Sequence, residues 1–212
     1  MKRKLLTFIS INLFFISVYS QSNNSPIPFE LFAGNNRSSV QLNLKKTIYN
    51  KIDFSNLTIA TADYKNTLSE NELIMINSLV YQFHKNINIG GGVQYHFKKG
   101  FIPNVSISFN HIDATWMFLL TPYFQFLPTR NIETICIIEF KPKLTENLRL
   151  YSRVQGLYNY NFAYNGHERS FFDFRLGLKI NRFAFGAASN LDYYGPKKVF
   201  KENYGAFIKI DM

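Results

Sequence analysis

A single cysteine, Cys136, stands among 212 residues, so an intrachain disulfide framework and any multi-cysteine metal site are excluded. Glycine and proline are scarce, 11 and 7 residues, which excludes collagen-like and low-complexity chains. Beyond the N-terminal segment no apolar run is long enough for a spanning helix, which needs about 20 residues. No amphipathic helical stripe is found there either. Acid is the minority charge, with 14 Asp and Glu against 24 Lys and Arg, a formal net charge of +10. The bases are scattered, with no arginine-rich arm or nucleic-acid motif, so nucleic acid is not expected as a partner. What is abundant is aromatic, 22 Phe and 13 Tyr. That content, together with many β-branched residues, excludes disorder.

The N-terminus reads as an address. Lys2, Arg3 and Lys4 precede a mostly apolar run from Leu5 to Tyr19, and Val18 and Ser20 sit where a small-residue cleavage site places them. This is the pattern of a secretory signal peptide over residues 1–20, leaving 21–212 as one domain. The run is too short for a stable membrane anchor.

From Val40 onward apolar residues recur at every second position. Ile87, Ile89, Val93 and Tyr95 alternate with Asn88, Gly90, Gln94 and His96. Phe172, Phe174, Leu176 and Leu178 alternate with Asp173, Arg175, Gly177 and Lys179. Successive strand side chains point to opposite faces, so each segment has one greasy and one polar face. The pattern predicts strands near 38–49, 52–63, 72–84, 87–98, 102–111, 114–127, 131–141, 147–160, 169–181, 183–193 and 201–212. In 52–63 the phase shifts between Phe54 and Leu57, which predicts a bulge. Segment 114–127 is apolar on both faces in part, and Pro122 predicts a distortion there.

Most of these segments reach the roughly 9–11 residues of a transmembrane strand, whereas soluble strands run about 5–6. Short joins near Asn50, Lys85, Asp113, Thr145 and Asn181 alternate with mostly longer ones. That alternation suits periplasmic turns and external loops. It also calls for one further upward strand, for which Pro28–Ala33 is the candidate. The expected fold is all-β: a closed antiparallel transmembrane β-barrel of about twelve strands, ten being the alternative, with the last strand paired to the first. Expected partners are outer-membrane lipid and the barrel-assembly machinery.

The chain resembles small outer-membrane β-barrel proteins of the Bacteroidota type. The resemblance rests on the leader ending Tyr19-Ser20-Gln21, the aromatic-rich alternating strands and the closing strand from Asn203 to Met212. Met212 stands where that class usually ends in an aromatic residue. The resemblance implies a location in the outer membrane and carries over no functional residues.

The polar faces supply the candidate site. On the assigned phase Gln94, His96, Glu139 and Lys141 line the lumen, as do Arg149, Arg153, Asp173, Arg175, Lys179 and Lys209. Hairpin pairing is expected to bring Glu139 close to Arg149, and Arg153 to Arg175. Base exceeds acid in this set, so an open lumen would favour small anionic solutes. In a narrow barrel the same charges would instead pair and fill space, a structural role. An outer-membrane hydrolase is the alternative from another class. His111 with Asp113, and His167-Glu168 with Ser170, are its only raw material, and nothing in the sequence supplies an oxyanion site. A soluble periplasmic β-barrel binding protein is the third reading. Gly90-Gly91-Gly92 is not a phosphate loop, because no P-loop lysine and helix follow it. Cys136 falls on the lipid-facing phase. No third ligand joins His84 and His96, so no metal or other cofactor is expected.

Overall fold

The computed structural model describes residues 26–65, 71–127 and 130–212. The expected signal peptide and the Pro128-Thr129 turn lie outside the described residues. The ordered elements are twelve strands: β1 Pro28–Gly34, β2 Arg37–Tyr49, β3 Ile52–Asp63, β4 Glu72–His84, β5 Ile87–His96 and β6 Gly100–Ile112, then β7 Trp116–Gln125, β8 Asn131–Phe140, β9 Leu148–Asn161, β10 Gly166–Ile180, β11 Phe183–Tyr194 and β12 Val199–Asp211. Each pairs antiparallel with the next, and β1 pairs with β12, so the sheet closes into a barrel. Twelve strands therefore stand, not ten, and Pro28–Gly34 is the strand that makes the number even. No helix of the described residues is long and apolar enough to cross a membrane.

Local chemistry sets the hairpins. Asn50 and Asn181 occupy the left-handed region in the two-residue turns after β2 and β10, with φ of 42° and 51°. Asparagine tolerates that region better than other side chains, and such turns match the twist of paired strands. Gly100, with φ of 77°, ends the β5–β6 turn and stops β5 at His96, short of residue 98.

Two irregularities differ from expectation in instructive ways. The β2–β3 ladder shifts between Thr47 and Tyr49 of β2, whereas β3 pairs with β4 without interruption from Ile52 to Thr61. The phase change in 52–63 is thus no bulge in β3. Leu57 stands opposite the buried Ile76 and faces the interior, so the greasy residues of β3 change faces along a regular strand. Pro122 does break a ladder. Between β6 and β7 the pairs run Ser106–Tyr123 and then Phe109–Leu120, with no pairing at the two positions between, while the β8 side of β7 is continuous. Proline has no N–H to give to one of its two neighbours.

The barrel is greasy over most of its outer face. Val93 of β5, Phe118 of β7, Phe174 of β10 and Ile208 of β12 are all exposed, as are many neighbours at alternate positions. Trp116, Tyr158 and Tyr204 are also exposed, and amphipathic rings of this kind suit the edges of an apolar band. A water-facing surface of this kind would be an aggregation surface, and a bilayer removes that cost.

Candidate functional site

The inward faces of β3, β4, β7 and β8 are greasy over part of their length. Ile76 of β4 forms one buried cluster with Ile135 and Ile137 of β8, and Leu57, Ile74, Met117, Leu119, Tyr123 and Leu157 pack against it. Strands β4 and β8 are four places apart in the sheet, so this contact spans the interior. It also explains why segment 114–127 is apolar on both faces: Phe118 meets the outside while Met117 and Leu119 meet the inner cluster. A second buried cluster, Phe32, Tyr151, Ala184, Ala188 and Phe207, lies inside the wall formed by β1, β9, β11 and β12.

Charge is threaded between these clusters. Arg153 and Arg175 each donate to Glu30 Oε1 at 2.8 Å, and the Arg175 guanidinium lies 4.7 Å from the centre of the Phe32 ring. Toward the turn-bearing end, Glu139 accepts from Lys141 at 2.8 Å, from the Tyr151 hydroxyl at 2.8 Å and from Lys209 at 3.1 Å. Lys179 pairs with Asp211. Toward the loop-bearing end, Arg169 donates to Glu72 at 2.8 Å and to Asp192 at 2.9 Å, and Asp192 also receives Arg37. That chain joins β2, β4, β10 and β11 across the mouth. Arg153, Arg175, Glu30 and Glu139 are all buried. Burial makes such pairs costly to break, although it makes them weak as sources of net stability.

The other sequence-derived candidates fall around this frame. Gln94 is buried and accepts from Gln125 at 2.9 Å. His96 Nδ1 accepts from the Lys98 backbone at 3.1 Å. Asp173 is buried in register with Gln155 and Asn190. Arg149 does not meet Glu139. It donates to the carbonyls of Ala114 at 2.9 Å and Lys141 at 3.1 Å, because the register sets Glu139 opposite Arg153. The loop between β8 and β9, with its isolated Lys143–Arg149 bridge, moves the pairing by two inward positions, from Arg149 to Arg153. Arg153 and Arg175 do stand opposite each other.

Asp113 and Lys99, both in turns outside the strands, have displaced titrations. Asp113, in the β6–β7 turn, is held below the usual carboxylate range by the backbone N–H groups of Trp116 and Thr115, which donate to it at 2.7 Å each. Burial pushes the Lys99 ammonium, in the β5–β6 turn, below its usual range, and its partner is Glu168.

One cavity between the charged and the greasy parts of the interior is small. It measures about 50 Å³ and lies between Glu30, Gln155, Asp173 and Arg169 on one side and Leu57, Ile74 and Ile76 on the other. That is room for a water or two rather than a solute. Glu30 Oε2, Gln155 Oε1 and Arg169 Nε have no hydrogen-bond partner, and they are the groups such water would serve.

The interior acids Glu30 and Glu72, the bases Arg37 and Arg169, and the inner isoleucines escaped the sequence reading. Glu30 lies in a seven-residue strand, too short to fix a phase. Arg169 follows a register shift between His167 and Arg169 that moves the residues before it out of phase.

The hydrolase material is only partly assembled. His167 Nε2 lies 3.0 Å from Ser170 Oγ, and His167 Nδ1 lies 2.7 Å from the Gly195 carbonyl. A backbone carbonyl thus occupies the place of a triad acid. Glu168 is turned to Asn161 at 2.9 Å and to Lys99. His111, near the end of β6, and Asp113, in the turn that follows, are exposed and lie 3.2 Å apart. Among the described residues no cluster of three His, Cys, Asp or Glu suits a metal ion.

No family model matches the chain. No curated protein matches it in sequence. Solved structures do match in shape. The NanC porin aligns over 89% of this chain and 100% of its own, with 9% identity and a TM-score of 0.52. The KdgM porin aligns over 88% and 98%, with 10% identity and a TM-score of 0.49. A second KdgM structure, in complex with disordered oligogalacturonate, aligns over 88% and 98%, with 11% identity and a TM-score of 0.48. At 9% identity the NanC likeness is one of fold: the chain has the closed twelve-stranded architecture of an outer-membrane porin-type barrel.

Proposed function

We propose that the protein is a non-enzymatic outer-membrane β-barrel of the Bacteroidota type, exported through a signal peptide spanning residues 1–20, whose interior is braced shut. The observation that carries this reading is the convergence of Arg153 and Arg175 on Glu30 beside the cross-lumen contact of Ile76 with Ile135 and Ile137. Ions paired at 2.8 Å and packed isoleucines cross the lumen at this level and narrow it. The barrel is then a structural or scaffold element of the membrane, held by its outer band and stiffened from within.

A small-solute channel is the second reading, favoured by the porin-type fold and by the ladder of charge from Lys209 to Arg37. The KdgM structure with oligogalacturonate belongs to a porin that holds an acidic sugar. Here any anion preference is muted, because Glu30, Glu72, Asp192 and Asp211 offset the interior bases. Solute passage would require the isoleucine contact to part.

Single-channel recording in planar bilayers separates the two. The braced barrel gives no sustained conductance, and Ile76→Gly with Ile135→Gly opens one. Steady anion-selective current from the unaltered protein establishes the channel instead. Fractionation of cells expressing the full chain, with the protein in the outer-membrane fraction and absent from the periplasm, tests its placement.

A further inference from the structure

The outward face of β3 is unlike the rest of the barrel. Leu57 and Ile59 point inward with Ile76 and Ile74, so the outward positions between residues 56 and 62 are Asn56, Thr58, Ala60 and Ala62. Asn56 stands directly opposite Asn77 of β4. Asn56 Nδ2 donates to Asn77 Oδ1 at 2.8 Å, and Thr58 Oγ1 donates to Asn56 Oδ1 at 3.0 Å. This polar group is ringed by greasy outward residues. Leu44 and Leu42 lie opposite Asn56 and Thr58 on β2, Val93 lies opposite Asn77 on β5, and Met75 and Leu79 flank Asn77 on its own strand. Asn77 is near the middle of β4, so its amide sits within the apolar band rather than at either edge.

The donors and acceptors do not balance. Both side-chain carbonyl oxygens accept within the group, but among the described residues neither hydrogen on Asn77 Nδ2, nor the second on Asn56 Nδ2, has an acceptor. An amide N–H left against hydrocarbon is costly, and no water reaches that depth to relieve it. Lipid tails offer no acceptor, and headgroup oxygens lie at the edges of the band.

We propose that β3 and β4 form a self-association surface on which a second copy of this chain docks within the membrane. A two-fold axis would set the two patches face to face. Each Asn77 amide would then donate to the free lone pairs on the partner's Asn77 and Asn56 carbonyl oxygens, a self-complementary arrangement. Ala60, Ala62 and Gly91, on the same outward face, let the two walls approach closely, as small residues do at intramembrane contacts. The proposal rests on the membrane placement argued above.

The test uses the full mature chain refolded into lipid nanodiscs large enough for two barrels and into detergent micelles. Folding into lipid is scored first by resistance to unfolding in cold SDS, and failure at that step overturns the membrane placement itself. In folded protein, sedimentation should show a dimer. Asn56→Leu with Asn77→Leu should raise the dimer dissociation constant about tenfold or more without loss of folding. With Cys136→Ala as background, Asn77→Cys should form a disulfide-linked dimer on mild oxidation, while Phe174→Cys, on β10, should not. The cysteine pair decides the matter even where the double leucine variant folds poorly. A folded wild-type protein that stays monomeric in both media, or equal crosslinking at positions 77 and 174, overturns the proposal.

Discussion

Arg153 and Arg175 face each other directly across the β9–β10 ladder, and both are discharged onto a single oxygen of Glu30, three and four strands away around the wall. Two like charges opposite each other are unfavourable in a sheet. They are tolerable here because a carboxylate reaches them from β1, the shortest strand of the barrel. The same contact therefore settles the charge of β9 and β10 and fastens the strand that closes the ring.

Glu30→Ala should consequently be among the most damaging single changes. It leaves two buried guanidiniums without their shared anion, a loss of about 3–5 kcal/mol. Urea unfolding in detergent, followed by tryptophan fluorescence from Trp116, measures it. Adding Arg153→Met to Glu30→Ala should restore part of the loss, since one of the orphaned charges goes with it. A change below 1 kcal/mol for Glu30→Ala would show that the seam does not depend on this contact.

The seam can be tested from the opposite strand. A Cβ added at Gly205 of β12 would overlap the carbonyl of Ala33 on β1, whereas one added at Gly91 meets nothing within 4 Å. Gly205→Ala should cost about 1–3 kcal/mol, and Gly91→Ala should be close to neutral. Equal stability of the two variants would mean that β1 and β12 are not in close contact.

Facing is checked with nitroxide labels on a cysteine-free background. A label at Phe174, two-fifths exposed, should be reached by oxygen dissolved in the bilayer. A label at Arg175, 3% exposed, should be reached poorly by oxygen and by a water-soluble nickel chelate alike. Reversal of the pair would shift β10 by one residue and with it every side chain on the strand.

The Ser170–His167 contact makes a chemical forecast. His167 is steered by the Gly195 carbonyl rather than by a carboxylate, so the third, anionic member of a serine triad is not in place beside it. A fluorophosphonate probe should leave the folded protein unlabelled. Labelling at Ser170 that disappears in His167→Gln would revive the hydrolase reading.

Asp113 gives the pH dependence its sign. Its folded titration lies below the ordinary value, so its contribution to stability is complete above about pH 4 and fades as pH falls through the folded value. Asp113→Asn should flatten that part of the stability curve and remove the same contribution at neutral pH. An unaltered acid limb in the variant would remove Asp113 from the account.

The strands were legible because period two survives wherever the two faces differ. β3 and β4 have the expected bounds, and the short turns carry Asn50 and Asn181 where the sequence placed them. The interior was less legible for the same reason. In β8, Ile135 and Ile137 point inward while Ile132, Cys136 and Ile138 point outward, so hydrophobicity alone carries no phase there. Only the partners, Ile76 and Leu57, reveal that half of the inner wall is greasy. Long-range partners such as Glu30 and Arg175, 145 residues apart, leave no local trace at all.

The isoleucine contact across the barrel also bears on handling the protein outside its membrane. Ile76, Ile135 and Ile137 are sheltered by the protein itself, so their packing does not rely on the lateral pressure of acyl chains. A wall propped from within should keep its round cross-section when lipid is exchanged for detergent, where a hollow ring of equal strand number would be free to flatten. The choice of surfactant then matters chiefly to the outer band, and extraction should proceed without collapse.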